Sequence, residues 1–332
     1  MRVAVIGAGS WGTALALVLA EAGHDVMLWA RTQEVADAVN AERRNPRYLS
    51  DYLLPDSIRA TSFYAEALKD AEAAVIVTPS AALRSVARDL RELMAPNLPV
   101  VICSKGVEQE TGLLPIDTFA DELGNPARFA VLSGPTHAEE VICRKPSAAV
   151  VASASEDTAL FFRDLFATRF FRTYTSDDPV GVELCAAFKN VIAIAVGVSY
   201  GMGFGDNTAA MLITRGLAEM SRMVVACGGQ ALTCMGLGGA GDMVVTCMSQ
   251  HSRNRRFGEQ YVARGLTLDD FTAQTHMVVE GAIACKTLRA LEERYGVDLP
   301  LTDTVRAVVW DGVPSREAAA ALIDRPLKSE FY

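Results

Sequence analysis

Residues 2–29 read RVAVIGAGSWGTALALVLAEAGHDVMLW, and this stretch decides the fold of the first half of the chain. Residues 2–6 (RVAVI) form a short apolar run of strand type, residues 13–22 are rich in Ala and Leu and read as helix, and residues 25–29 (DVMLW) read as a second strand. Between the first strand and the helix lies Gly7-Ala8-Gly9-Ser10-Trp11-Gly12. A GxGxxG alone is a weak signal. Set after a strand, opening a helix and followed by another strand, it describes a dinucleotide-binding β-α-β unit. Gly7 permits the tight turn, Gly9 lets the backbone approach a pyrophosphate, and Gly12 permits close helix–strand packing. The helix N-terminus adds free N–H groups and partial positive charge. The plain alternative is a tight turn with no ligand, and spacing and placement weigh against it.

Outward from this unit the same alternation continues. Residues 32–40 read as helix, and residues 41–60 as irregular, with Pro46, Pro55 and several arginines. Residues 73–78 (AAVIVT) read as a strand stopped by Pro79, and residues 81–93 as helix. Residues 99–104 form a strand ending at Lys105-Gly106, and residues 129–133 one ending at Gly134-Pro135. Residues 148–152 and 170–174 complete the set of short strands. The pattern predicts an α/β fold, a Rossmann-type doubly wound, mostly parallel sheet with helices on both faces. It stops near residue 178. Beyond Val180 no β run is found, and residues 180–198, 208–226, 268–271, 279–295 and 301–312 read as helices. Ser176-Asp177-Asp178-Pro179 is a helix start. The expected division is a dinucleotide-binding Rossmann domain over residues 1–180 and an all-α C-terminal substrate and catalytic domain over residues 181–332.

Two domains suit 332 residues, half of them apolar and 21% charged. A formal charge of −9 argues against broad nucleic-acid binding through counterion release. The seven cysteines include no CxxC, and the histidines at 24, 137, 251 and 276 show no HxxxH spacing. Neither a disulfide framework nor a metal site is expected, and reduced thiols fit a cytoplasmic protein. Met1-Arg2 and the apolar run to Ala20 imitate a signal peptide, but the patterned Gly7, Gly9 and Gly12 do not suit one. The apolar stretch 191–202 reads as too short to cross a bilayer, so no membrane span is expected.

Several further residues carry chemistry. The second strand ends in Ala30-Arg31-Thr32, where an NAD-only site places an acid on the ribose 2′-OH. Arg31 suits a 2′-phosphate instead and favours NADP(H), without excluding NAD(H); the bland reading is a surface arginine. Ser104-Lys105-Gly106 and Gly134-Pro135-Thr136-His137-Ala138-Glu139-Glu140 both follow strands, and loops at the carboxyl ends of strands border one cleft. Lys189-Asn190 lies within an apolar helical run. Burying a lysine is costly unless it is paired or functional. A snorkelling lysine is the alternative, and apolar residues on both sides disfavour it. Gly236-Leu237-Gly238-Gly239-Ala240-Gly241-Asp242, then Ser252-Arg253-Asn254-Arg255, suit a small phosphorylated polyol, since arginine grips phosphate through parallel hydrogen bonds. Alone, the second segment would read as a solvated basic turn.

Together GAGSWGTALA, SKG, GPTHAEEV, the FKN around Lys189, GLGGAGD, SRNRRFG and VVEG at 278–281 resemble the NAD(P)-dependent glycerol-3-phosphate dehydrogenase family. They span residues 5–281 in the family's order and approximate spacing. The resemblance implies that Gly7, Gly9, Ser10, Trp11 and Gly12 hold the cofactor and that Arg31 faces the adenosine ribose. It implies that Lys105 touches cofactor and substrate, that Gly134 and Thr136 bind substrate, and that Ala138 lies against the cofactor. Lys189 is then the proton donor or acceptor. Asp242, Ser252, Arg253 and Asn254 surround the glycerol phosphate, and Arg253, Val278 and Glu280 border the nicotinamide cofactor. His137 stands where Phe is common in the family and receives no catalytic role.

The implied reaction is reversible reduction of dihydroxyacetone phosphate by NAD(P)H to sn-glycerol 3-phosphate, supplying glycerophospholipid synthesis. Apolar surroundings and Lys105 lower the pKa of Lys189 from its ordinary value near 10.4. Asp242 opposes that shift, so the sum depends on geometry. The implied partner is the small substrate, with no nucleic acid; a homodimer through apolar faces of the helical domain is also expected. The alternatives are another two-domain β-hydroxyacid-type dehydrogenase, acting on a 6-phosphogluconate or 3-hydroxyacyl-CoA, and a non-catalytic NAD(P)-sensing protein. The latter would need neither Lys105, Lys189 nor Asp242.

Overall fold

Strands covered on both faces are apolar along their whole length, and the central runs of the first half are of that kind. β1 (Arg2–Ile6), β2 (Asp25–Trp29), β3 (Ile58–Thr61), β4 (Ala73–Ile76), β5 (Val100–Ile102), β6 (Phe129–Ser133), β7 (Ser147–Ala152) and β8 (Phe171–Ser176) form one sheet in the computed structural model. The structure describes residues 1–275, 278–327 and 329–330, so His276 lies outside the described residues. The strand order is β3-β2-β1-β4-β5-β6-β7-β8. Every neighbouring pair is parallel except β6 and β7. The chain runs from β1 to β2 on one side and returns to β4 on the other, which opens a crevice at the carboxyl ends of β1 and β4.

Successive residues of a strand face opposite sides. Val3 and Val5 of β1 pack with Leu15 and Val18 of α1 (Ser10–Glu21), on the face also covered by α2 (Gln33–Glu42), α6 (Ala138–Val141) and α7 (Glu156–Phe166). Ala4 and Ile6 pack on the other face with Val86 and Phe119, on α4 (Leu83–Leu90) and α5 (Pro115–Leu123), beside the short α3 (Tyr64–Leu68). One strand departs from the sequence expectation, and another supplies the exception that a mostly parallel sheet allows. β3 lies inside the stretch read as irregular, and β7 runs antiparallel to β6.

After β8 the described chain is helical. α8 (Pro179–Gly201) is followed by α9 (Asp206–Ala226), α10 (Asp242–Met248), α11 (Arg253–Arg264), α12 (Leu268–Thr275), α13 (Glu280–Tyr295), α14 (Pro300–Trp310) and α15 (Ser315–Ile323). α8 starts with Pro179 in its first turn, and Asp178 Oδ1 accepts from Gly181 N at 2.8 Å. Asp178 Oδ2 also accepts from Gln230 N at 2.8 Å and Thr233 Oγ1 at 2.6 Å, so one cap fixes two segments. The helix is 23 residues long, beginning well before the 191–202 stretch read as too short, and is apolar enough to cross a membrane. Its most apolar window is 94% buried inside the protein, under α9, α10, α11 and α13. The crossing with α11 is set by small residues. A Cβ on Gly197 would lie 2.1 Å from the Arg255 carbonyl oxygen, and one on Gly258 would lie 2.4 Å from that of Ile194. Residues 252–255 open α11: Ser252 is its N-cap and Arg253 its first residue, so the segment is not the basic turn it would read as alone.

Candidate active site

Three chain segments bring charge to the carboxyl ends of β5 and β6. Lys105 follows β5, Lys189 projects from the middle of α8, and Asp242 opens α10 after a π-helical turn at Leu237–Gly241. Gly239 permits that turn, since a Cβ there would sit 2.2 Å from the Cys234 carbonyl oxygen. Asp242 Oδ2 accepts from Lys105 Nζ at 2.8 Å, and Oδ1 accepts from Lys189 Nζ at 2.5 Å. Lys189 Nζ also donates to Thr246 Oγ1 at 3.0 Å, one helical turn beyond Asp242. Ser133 Oγ, at the end of β6, donates to Asp242 Oδ2 at 3.3 Å. Asp242 and Lys189 are buried, whereas Lys105 keeps 17% of its side chain exposed and marks the mouth of the site.

Two cations around one anion leave a net positive site. Burial favours the neutral carboxyl, but the Lys105 and Lys189 charges outweigh it and hold Asp242 below the usual carboxylate range. Burial likewise works against a charged Lys105, and the Asp242 charge overcomes it, so Lys105 titrates above its ordinary value. At Lys189 burial wins. Asp242 opposes it and Lys105 assists it, and the lysine is brought down to about 8. His137 lies near this group; burial and the Lys189 charge pull its pKa down and keep it neutral.

A second polar chain runs beside the first. Asn190 donates to Glu280 Oε2 at 3.3 Å, Asn254 donates to Asn190 Oδ1 at 2.9 Å, and Asn254 Oδ1 accepts from Gly281 N at 2.9 Å. It joins α8, α11 and the start of α13. Thr136 Oγ1 donates to the Gly134 carbonyl at 3.1 Å, directly after Ser133, and Ala138 is buried at the first position of α6. Ser252 Oγ caps α11 by accepting from Arg255 N at 3.3 Å. Arg31, Arg253 and Val278 are exposed. Arg31 and Arg253 make no hydrogen bond or ion pair among the described residues. Ser133 and Thr246 were absent from the sequence reading. The i, i+4 spacing of Thr246 from Asp242 would have found it had residues 242–248 been read as helix.

The glycine turn fits a dinucleotide. Gly7 has φ +127°, and a Cβ there would lie 2.6 Å from the Val77 carbonyl oxygen. A Cβ on Gly12 would lie 1.8 Å from the Gly7 carbonyl oxygen, so α1 seats directly on the turn. Gly9 differs: a Cβ there meets no atom within 4 Å, which leaves its outer side open to a ligand. Gly9 is the N-cap of α1 and supplies no side-chain cap, so the first N–H groups of the helix stay available. The Thr78 hydroxyl, after β4, is buried without a hydrogen-bond partner among the described residues.

A doubly wound sheet with an open glycine turn, beside a buried lysine–aspartate–lysine group, defines a nicotinamide-dinucleotide dehydrogenase. Residues 2–159 match the N-terminal model of the NAD-dependent glycerol-3-phosphate dehydrogenases, and residues 178–320 match the C-terminal model. The chain belongs to the NAD-dependent glycerol-3-phosphate dehydrogenase family, a family of NAD(P)-dependent oxidoreductases. It is 43% identical to the glycerol-3-phosphate dehydrogenase [NAD(P)+] of Chlorobium limicola, with 100% of each chain covered. It is 46% identical to that of Streptomyces griseus, over 99% of this chain and 98% of the relative. The crystal structure of glycerol-3-phosphate dehydrogenase from Coxiella burnetii superposes with a TM-score of 0.92 at 36% identity, covering 98% of this chain and 99% of that one.

Proposed function

We propose that this protein reduces dihydroxyacetone phosphate to sn-glycerol 3-phosphate, and runs the reverse reaction, with Lys189 as the proton donor and acceptor. The reading rests on one observation: a buried lysine at about 8, held by Asp242 and faced by a second lysine. When bound, the reduced nicotinamide supplies a hydride to the carbonyl carbon. The protein's own residues handle charge and position. Lys189, largely protonated at neutral pH, donates to the oxygen on which negative charge builds. A positioned general acid of this kind is worth about 10²–10⁴ in rate. Asp242 keeps both lysines aimed at one place, and Lys105 adds a second positive charge at the mouth. Arg253, Asn254 and the N-terminus of α11 suit the phosphate, since a helix start presents free N–H groups and partial positive charge. Gly134 and Thr136 line the same end of the sheet.

For the cofactor, the glycine turn with Ser10 and Trp11 would hold the pyrophosphate side, and Ala138, Val278 and Glu280 the nicotinamide side. Arg31 would take the 2′-phosphate and favour NADP(H), with NAD(H) also used. The dinucleotide domain then spans residues 1–180 and the substrate domain residues 181–332. The product would feed glycerophospholipid synthesis in the cytoplasm, and the protein would act as a homodimer. The test is consumption of NADPH by the purified protein on addition of dihydroxyacetone phosphate, a 3-ketoacyl-CoA or a 2-ketoacid, and reduction of NADP+ on addition of sn-glycerol 3-phosphate, 6-phosphogluconate or a 3-hydroxyacyl-CoA. Turnover confined to dihydroxyacetone phosphate and sn-glycerol 3-phosphate supports the reading. Faster turnover of another substrate overturns it.

A further inference from the structure

Asn45 stands between Arg44 and Pro46 in a segment, ERRNPRY, whose composition is that of a solvated loop, yet its side chain is fully buried. All four of its hydrogen-bonding capacities are used. Nδ2 donates to the Ala8 carbonyl at 2.9 Å and to Thr13 Oγ1 at 2.8 Å. Oδ1 accepts from Arg47 N at 3.1 Å and Tyr48 N at 3.2 Å. The side chain therefore clamps the 45–48 turn onto the second residue of the glycine turn and the first turn of α1. The segment itself is closed behind it, because Leu54 N donates to the Arg43 carbonyl at 2.8 Å and Arg43 Nε donates to the Leu54 carbonyl at 2.9 Å.

The bond to Ala8 has a directional effect. A peptide unit is planar and trans, so its C=O and the following N–H point in opposite directions. Holding the Ala8 carbonyl against Asn45 turns the Gly9 N–H away from it. That N–H has no acceptor among the described residues, and the outer side of Gly9 is the open one. We propose that Asn45 is a positioning residue of the cofactor site: it fixes the Ala8–Gly9 peptide so that the Gly9 N–H faces the dinucleotide pyrophosphate. The residue touches no ligand; it acts through the peptide it holds.

Asn45→Asp tests this directly. The carboxylate still accepts from Arg47 N and Tyr48 N but cannot donate, and it sets an oxygen against the Ala8 carbonyl. Losing the oriented bond should raise the dissociation constants of NADPH, NADH and ADP-ribose alike by about ten-fold or more, with kcat at saturation kept within about two-fold. Thr13→Val removes the other acceptor and leaves the Ala8 bond, so affinities should change by less than about three-fold. Unchanged affinity in Asn45→Asp, or an equal loss in Thr13→Val, would overturn the proposal. A second measurement needs no variant: in the wild-type protein the Gly9 amide proton resonance should move on addition of ADP-ribose. A Gly9 amide unmoved at saturation also overturns it.

Discussion

Lys105 and Lys189 hold the two oxygens of a single carboxylate, Asp242 Oδ2 at 2.8 Å and Oδ1 at 2.5 Å. The pair is asymmetric. Lys105 is raised and Lys189 lowered, so only one of them is poised to exchange a proton near neutrality. Lys189→Met keeps the length and apolar stem of the side chain. It should cut kcat by about 10²–10⁴ while the KM for NADPH stays near wild type. Steady-state kinetics with both substrates varied will show it, and a near-normal kcat removes the assignment.

The pH profile has a defined direction. With Lys189 as the proposed proton donor, carbonyl reduction needs its protonated form, so kcat should be flat at low pH and fall as pH rises through about 8. Oxidation of the alcohol needs the free amine and gains over the same interval. Asp242→Asn removes the charge opposing desolvation, so the limb should move to lower pH. It also leaves two cations without their anion, at a stability cost of about 3–5 kcal/mol, measurable by denaturant unfolding.

Arg31 is exposed at the end of β2, with no acid beside it to claim a ribose hydroxyl. Arg31→Ala should raise the KM for NADPH about ten-fold more than that for NADH, as expected for one lost charge-assisted contact to phosphate. Equal effects on both cofactors would separate Arg31 from the 2′-phosphate.

The second and third glycines of the turn, Gly9 and Gly12, should respond differently. Gly12→Ala places a methyl 1.8 Å from the Gly7 carbonyl oxygen and should unseat α1, lowering the melting temperature and abolishing cofactor binding. Gly9→Ala meets no protein atom within 4 Å and has an ordinary φ of −76°, so the protein should fold normally. Its KM for both cofactors should still rise, because the methyl points where the ligand approaches. Melting curves and KM values from the same preparations distinguish the two.

Glu219 caps the start of α14, accepting from Leu301 N at 2.6 Å and from Thr302 N at 3.1 Å. Burial raises its pKa from 4.5 to about 7 against those bonds. The folded protein therefore holds this proton more tightly than the unfolded chain. The stability it contributes is complete below pH 4.5 and is lost as pH rises through about 7, by an amount on the order of 3 kcal/mol. Glu219→Gln should flatten that dependence in urea titrations between pH 5 and about 8. An unchanged slope would mean that the carboxyl is not protonated in the folded state.

The first half of the fold is legible because its signals are local. The glycine turn, the apolar strands and the residues that end them lie within a few positions of one another. β3 escaped because Ile58–Thr61 mixes polar and apolar residues, as edge strands do, behind Pro46 and Pro55. The antiparallel direction of β7 escaped because strand pairing is decided by distant partners. Within the site, Lys189 stood out as a charge in an apolar helix. Ser133 reads as the last residue of a strand, and its contact with Asp242 depends on how α10 docks. Asn45 is the extreme case: five of its nearest neighbours in sequence are polar or charged, and only tertiary packing buries it.

α8 fills the centre of the helical domain and also carries Lys189, the amine proposed to exchange the proton. The dryness that stabilises the core is therefore the same dryness that sets the acidity of Lys189. Admitting water along this helix returns the lysine toward its solution value near 10.4. Conditions that merely loosen the core, such as sub-denaturing urea or a large-to-small change at Phe188 or Ile192, would then detune proton transfer while the helices remain folded. Turnover becomes a hydration gauge for the interior, reporting wetting before any spectroscopic sign of unfolding.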